Sequence, residues 1–220
     1  MNEERRTDLA ELKDQFALRL LLSELKKYGY KTQKLKLQKL VYLTDIFGTI
    51  FCHKPTNYTF IVYDLGPFSK QVTTDMDYLV ASGVVDSNEI KLWDPEHERS
   101  FEYQIKELRT EESAKVIKRL DLVLVEKAIN FTVKIAGDLD SESIRKLVYT
   151  EPNYLAAKRV GGYRSVIRPD YKFAANFREI AKQIAAEEYS INLDDTQIGL
   201  LYLNFMKFNR FSTGCTVATL

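Results

Sequence analysis

Leu18, Leu21, Leu22 and Leu25 recur at i, i+3, i+4 and i+7, and Asp8 and Glu11 precede them at capping-box spacing. The pattern predicts a first helix over residues 8–28, stopped by Gly29. A second helix over 32–47 places Leu37, Leu40, Val41 and Phe47 on one face and lysines on the other. Residues 58–62 are β-branched and aromatic, so they read as a short strand. Gly66-Pro67 follows, with glycine for the turn and proline suited to a first helical position. The next helix carries an apolar stripe of Phe68, Val72, Met76, Leu79 and Val80, and ends at Gly83. Ile90 and Leu92, then Phe101, Tyr103 and Ile105, alternate with polar residues about the turn-like Asp94-Pro95-Glu96-His97-Glu98. This is the pattern of a β-hairpin with one apolar face.

The second half reads as mostly helical. Thr110 is placed to cap a long helix to Ala136 that would bury Ile117, Leu120, Leu124, Phe131 and Ile135, with Gly137 as its stop. Asp140 or Ser141 caps a shorter helix through Tyr149, which Pro152 breaks. A helical turn over 153–158 leads to the Gly161-Gly162 loop, then to helices over 171–188 and 196–209, the last capped by Asp194 or Asp195. The tail from Ser212 has weak periodicity and is expected to fray. The predicted fold is therefore mainly α (α+β). A winged-helix-like helical core with a small β-hairpin wing spans residues 1–109, and a helical C-terminal part spans 110–220, the two packed as one unit. A soft boundary falls near Arg109.

Composition narrows the function classes. The chain has 220 residues, 45% of them hydrophobic and 29% charged, with 32 Lys+Arg against 31 Asp+Glu. That excludes disorder and a disulfide-stapled miniature, and a net charge of +1 excludes a wholesale nucleic-acid coat while leaving room for a local basic face. Two isolated cysteines, Cys52 and Cys215, make no disulfide framework, so a reducing cytoplasm is expected. The first six residues carry acids and no apolar stretch, unlike a signal peptide. No apolar run approaches the roughly 20 residues of a membrane span.

Charge is uneven along the chain. Lys26, Lys27, Lys31, Lys34, Lys36 and Lys39 fall between Glu24 and Asp45 with no acid among them. This is either a solvated helix face or a patch for phosphates or an acidic protein, for which Lys34, Lys36 and Lys39 are the candidate contacts. A second basic stretch holds Lys158, Arg159, Arg164 and Arg168, whose guanidinium forks could grip carboxylate or phosphate beside Tyr154 and Tyr163. Were the helix after Gly66-Pro67 a recognition helix, Lys70 and Gln71 would lead it, with Asp75 and Asp77 opposing phosphate. No cofactor is expected. The phosphate-loop spacings are missing, and His53 and His97 have no second ligand at metal spacing. Cys52-His53 is not the arrangement of a thiol–imidazole pair, and Asp194/Asp195 reads as capping, so an enzyme is not expected. The 13 Tyr and 12 Phe exceed what a core alone absorbs and favour protein interfaces, with Phe205, Met206 and Phe208 suited to the core or to a homodimer seam.

Three segments together resemble a known family. Leu35-Lys36-Leu37-Gln38-Lys39-Leu40-Val41-Tyr42-Leu43 is similar to the KLQKLLY signature of the Panacea antitoxin-domain family, which includes SocA-type antitoxins and phage-associated GepA-like proteins. Tyr63-Asp64-Leu65-Gly66-Pro67-Phe68-Ser69 resembles its YGP segment. Ile144 to Tyr149 with Glu151-Pro152-Asn153-Tyr154 resembles a later helix and its aromatic segment, so the similarity spans residues 35–158. The resemblance implies a non-enzymatic antitoxin-like or phage/defence-associated protein-interaction module. Such a module binds a toxin or other neighbouring-gene product and neutralises or delivers it. A dimeric winged-helix DNA-binding regulator is the alternative that element order leaves open.

Overall fold

The computed structural model describes residues 3–51, 53–91, 99–106, 115–118 and 122–212. Helix α1, Glu3–Lys27, begins earlier than its periodicity implied, so Asp8 and Glu11 lie inside it. It ends where Gly29 takes φ +72 and the Tyr30 N–H reaches back to Leu25 O, a left-handed cap that releases the chain into β1, Thr32–Gln33.

Helix α2, Lys34–Ile50, is the axis of the molecule and is buried continuously from Lys36 to Ile50. The two-faced helix expected here, apolar on one side and solvated on the other, is thus corrected. Helices α4 (Val123–Ala136), α5 (Ser141–Val148), α7 (Tyr171–Tyr189) and α8 (Asp195–Ser212) all pack on it, α1 packs on α4, and an enclosed helix has no solvent face.

After α2 the chain forms β2, Phe60–Tyr63, and β3, Gly66–Phe68, before α3, Lys70–Ala81. Pro67 therefore sits in an edge strand, where its missing N–H costs no ladder bond, and Ser69, not the proline, stands before the helix. Strands β4, Val85–Lys91, and β5, Arg99–Ile105, pair in register from Val85↔Ile105 to Lys91↔Arg99, and β1 adds to β5 through Thr32↔Tyr103. The resulting sheet order β1-β5-β4 behind α1, α2 and α3 is that of a winged helix, with β2 and β3 inserted between α2 and α3. The turn-like segment around Asp94 lies outside the described residues.

In the second half Thr110 and Leu120 lie outside the described residues. The helix predicted to run unbroken from Thr110 is interrupted, because Leu122 is non-helical and α4 starts at Val123. Leu124, in the first turn of α4, is exposed, while Val125, Ala128, Ile129, Phe131 and Val133 are buried. Asp140 caps α5 by accepting from Ser143 N–H. Pro152 opens α6, Pro152–Gly161, and Glu151 caps it. Strand β6, Val166–Ile167, then joins β2 to give the sheet order β3-β2-β6. Asp194 and Gln197 cap α8 reciprocally, each side chain accepting from the other's backbone N–H. Asp195 is not the cap. Although burial pushes its carboxyl up, ion pairs with Lys127 and Arg178 hold it below its usual range.

One hydrophobic cluster runs from Ala17 through Leu37, Val41, Met76, Val125 and Ile144 to Met206, joining both halves of the chain. The architecture is mainly α with two small antiparallel sheets, and no helix among the described residues is long and apolar enough to cross a membrane.

Candidate interaction face

The three motif segments meet at α2. Gln38 accepts from Ser69 N–H at 2.9 Å and donates to Ser69 O at 2.9 Å and to Thr73 Oγ1 at 3.2 Å. One turn on, Lys39 Nζ donates to Pro67 O at 2.7 Å and is buried with no carboxylate partner among the described residues. Burial, helped by the nearby Arg145 guanidinium, lowers its pKa to about 7. Tyr42 donates to Glu151, a fully buried carboxylate that also accepts from Tyr202 Oη, Asn153 Nδ2 and Tyr154 N–H. Each bond satisfies a polar group that would otherwise be stranded in the core. The motif thus locks the Gly66–Ser69 turn and the start of α6 onto the central helix, and Gly66, at φ +99, leaves room for Lys39 and the Tyr149 ring.

The lysine cluster expected as a surface patch does not exist as one. Lys36 and Lys39 are both buried, Lys36 donating to Gly137 O and lowered in pKa chiefly by burial. Lys34 is exposed, Lys31 pairs with Glu102, and Lys26 caps the end of β5 through Ile105 O and Lys106 O. A lysine inside a helix packed on every side can only aim its ammonium at carbonyls, so residue type and spacing misled the reading.

Sequence reasoning also missed a buried carboxylate set. Asp45 accepts from Thr56 N–H and Oγ1, Asp14 accepts from Asn57 N–H, and Asp75 accepts from Tyr58 Oη and Gln15. Burial raises Asp45 to about 7 and Asp14 to about 6, against the hydrogen bonds that favour their charged forms. These acids fasten the segment 53–59 to α1, α2 and α3. The signal that could have found them is a lone aspartate inside the apolar run Val41–Phe47. Asp75 therefore does not oppose phosphate from the α3 surface. A cavity of about 170 Å³ lies beside Asp45, lined also by Lys54, Tyr58 and Arg168, but the Asp45 oxygens already serve Thr56. Among the described residues no group of three or more His, Cys, Asp and Glu could hold a metal ion.

The remaining predicted residues converge on the β3-β2-β6 sheet. Phe60 and Val62 point into the core, so Ile61 and Tyr63 point outward. Ile61 stands opposite Phe68 on one side and Val166 on the other, while the Tyr63 ring lies 5.2 Å from Phe68 and 5.3 Å from Tyr163. Tyr163 is 52% and Val166 46% exposed, which leaves an aromatic strip about 10 Å wide open to solvent across three strands. At one end stand Lys70, Gln71 and Arg168. The register brings Thr59 beside Arg168, and Gln71 Oε1 accepts from Thr59 N–H. At the other end Arg164 covers the Tyr163 ring at 5.4 Å, and Arg159 lies on the last turn of α6 leading into that turn. Arg159, Arg164 and Arg168 are exposed and, among the described residues, have no ion-pair partner. Their charges are accordingly free for an external anion. On α3 itself the exposed charges are Lys70 and Asp77, which cancel. Neither a family model, nor a curated protein, nor a solved structure matches the chain.

Proposed function

We propose that the chain is a non-enzymatic protein-interaction module of the antitoxin or adaptor kind, working in the cytoplasm and binding an acidic partner protein through the outer face of the β3-β2-β6 sheet. The observation that carries this reading is the exposed aromatic strip flanked by Arg164 and Arg168, with Arg159 on the adjoining helix turn, none of which has an ion-pair partner among the described residues. Exposed aromatics flanked by arginine are the composition of interface cores and hot spots. The resemblance of the motif segments to the Panacea antitoxin-domain family points the same way and supplies the partner class, a toxin or other product of a neighbouring gene. The test is co-expression with the product of the adjacent gene. Retention of that product through purification and rescue of its toxicity are expected, both weakened by the double change Arg159→Glu and Arg168→Glu. Loss of neither retention nor rescue in that variant, or no retention by the parent chain, refutes the reading.

The winged-helix sheet order favours a second reading, a DNA-binding regulator. Against it, the exposed charges of α3 cancel, and the wing strands carry Asp86, Glu89 and Glu102 against Lys91 and Arg99 and so have no cationic excess, whereas duplex affinity rests on phosphate neutralisation by cations. A gel shift at low salt decides it, and a retarded band whose affinity falls steeply with salt would promote this reading over the first.

A further inference from the structure

The turn between α6 and β6 holds a conformational anomaly. Ser165 N–H bonds to Gly162 O at 3.3 Å, closing a β-turn with Tyr163 and Arg164 at its centre. Arg164 has φ +65, the left-handed region, where glycine or asparagine belongs. Two glycines stand just before it, Gly161 and Gly162, so the chain uses glycine in this loop but not at the position that most calls for it. The surroundings impose the conformation. Arg164 N–H bonds to Val62 O and Val62 N–H to Ser165 O, each at 2.8 Å, so two residues oppose one and form a bulge. Ser165 Oγ ties the turn to Ala157 O and Gly162 O. Inside the molecule the Arg164 guanidinium lies over the Tyr163 ring, acts electrostatically on the Tyr63 hydroxyl, and has no carboxylate partner among the described residues.

An arginine held in a conformation that favours glycine, with an exposed guanidinium and no ion-pair partner among the described residues, is placed to meet something outside. We infer that Arg164 is the anchor of the interaction face, and that its occupant is an extended, carboxylate-rich segment of the partner protein lying along the Tyr63–Tyr163 strip between Arg164 and Arg168. This rests on the interaction reading above. Charge complementarity selects the occupant: residues 152–169 hold Lys158, Arg159, Arg164 and Arg168 and no acid. The guanidinium fork matches carboxylate in a bidentate fashion. The strip ends after three short strands, a footprint that a peptide segment of a few residues spans.

The inference separates stability from binding at one residue. Arg164→Gly and Arg164→Asn relieve the left-handed strain, so each is expected to raise Tm by about 2–4 °C. The probe is a fluorescein-labelled peptide of alternating Glu and Tyr, read by fluorescence anisotropy, with a single-stranded oligonucleotide of equal charge as the second arm. Both variants are expected to weaken peptide binding at least tenfold, Arg164→Lys to restore part of it without the stability gain, and the oligonucleotide to compete poorly. Three results overturn the inference: Tm unchanged in the glycine variant, peptide affinity unchanged while Tm rises, or an oligonucleotide bound more tightly than the peptide. The adjacent-gene product retained by both parent and Arg164→Gly would leave the interaction reading standing while removing Arg164 as its anchor.

Discussion

Lys39 offers a direct test of how the motif holds the fold. Its ammonium is buried, touches Pro67 O and has no counter-charge among the described residues. In the unfolded chain it keeps its proton to about pH 10.5, and in the folded chain only to about 7. Between those values the unfolded state binds one more proton. Stability therefore climbs with pH by about 1.4 kcal/mol per pH unit across that window. Below about pH 7 the amine is charged in both states and its burial cost is fully present. Lys39→Met keeps the length of the side chain and removes the charge, leaving Pro67 O without its donor at a cost of about 1–3 kcal/mol that does not depend on pH. The difference in stability between variant and parent is thus expected to fall by about 2–3 kcal/mol from pH 7 to pH 9. Urea unfolding followed by far-UV circular dichroism at intervals across that range measures it, and taking the difference cancels every other titrating group. Parallel pH profiles for the two proteins would refute the reasoning, because they would mean that Lys39 titrates alike folded and unfolded.

Four further predictions concern the buried polar bonds and the turn they hold. Asp45→Ala strips the acceptor from Thr56 N–H and Oγ1 in a closed site and is expected to cost about 2–4 kcal/mol in urea unfolding. Burial lifts Asp45 to about 7 and Asp14 to about 6, so between about pH 4 and 7 the folded state holds more protons and stability falls as pH rises, a slope that Asp45→Asn should flatten. Tyr42→Phe removes one donor from the buried Glu151 carboxylate, a loss of about 1–3 kcal/mol visible as a Tm lowered by several degrees. Gly66→Ala sets a Cβ 3.0 Å from Tyr149 Cε1 at φ +99 and should cost about 1–3 kcal/mol by the same assay.

Elements whose signal is local were legible in the sequence. The leucine period of α1, the alternation of β5 and the Asp140 and Asp194 caps depend on neighbours within a turn, and each is found at or near its expected place. What escaped depends on partners far along the chain. Lys36 finds its carbonyl 101 residues away, and Tyr42 its carboxylate 109 residues away, so a lysine-bearing helix read as half-exposed is enclosed instead. Pro67 looked like a helix start because its φ suits one, yet pairing with Val62 draws it into a strand. Leu124 keeps heptad spacing with the buried Ile117 and Phe131, yet it lies in the first turn of α4 beside the non-helical Leu122 and is exposed. On the candidate face, Arg159, Arg164 and Arg168 were visible as an acid-free stretch. Ile61, Tyr63 and Phe68 beside them were not, since only the β3-β2-β6 pairing brings these segments together.

That division bears on where specificity can reside. The motif residues Gln38, Lys39, Tyr42 and Glu151 are buried and direct their polar atoms at the backbone and side chains of this same chain, and Gly66 packs against Lys39 and Tyr149. A partner can be chosen only by what those bonds hold in place. The strands inserted between α2 and α3 place an aromatic strip beside the N-terminus of the helix that a winged-helix reader would present to DNA, and arginines without an ion-pair partner among the described residues border that strip. Substitutions from Arg159 to Arg168 can therefore re-aim the surface without disturbing the α2 bonds, except through the β6 pairing with β2. A scaffold built this way keeps one set of buried bonds while its exposed turn changes, so fold resemblance and partner identity are carried by different residues.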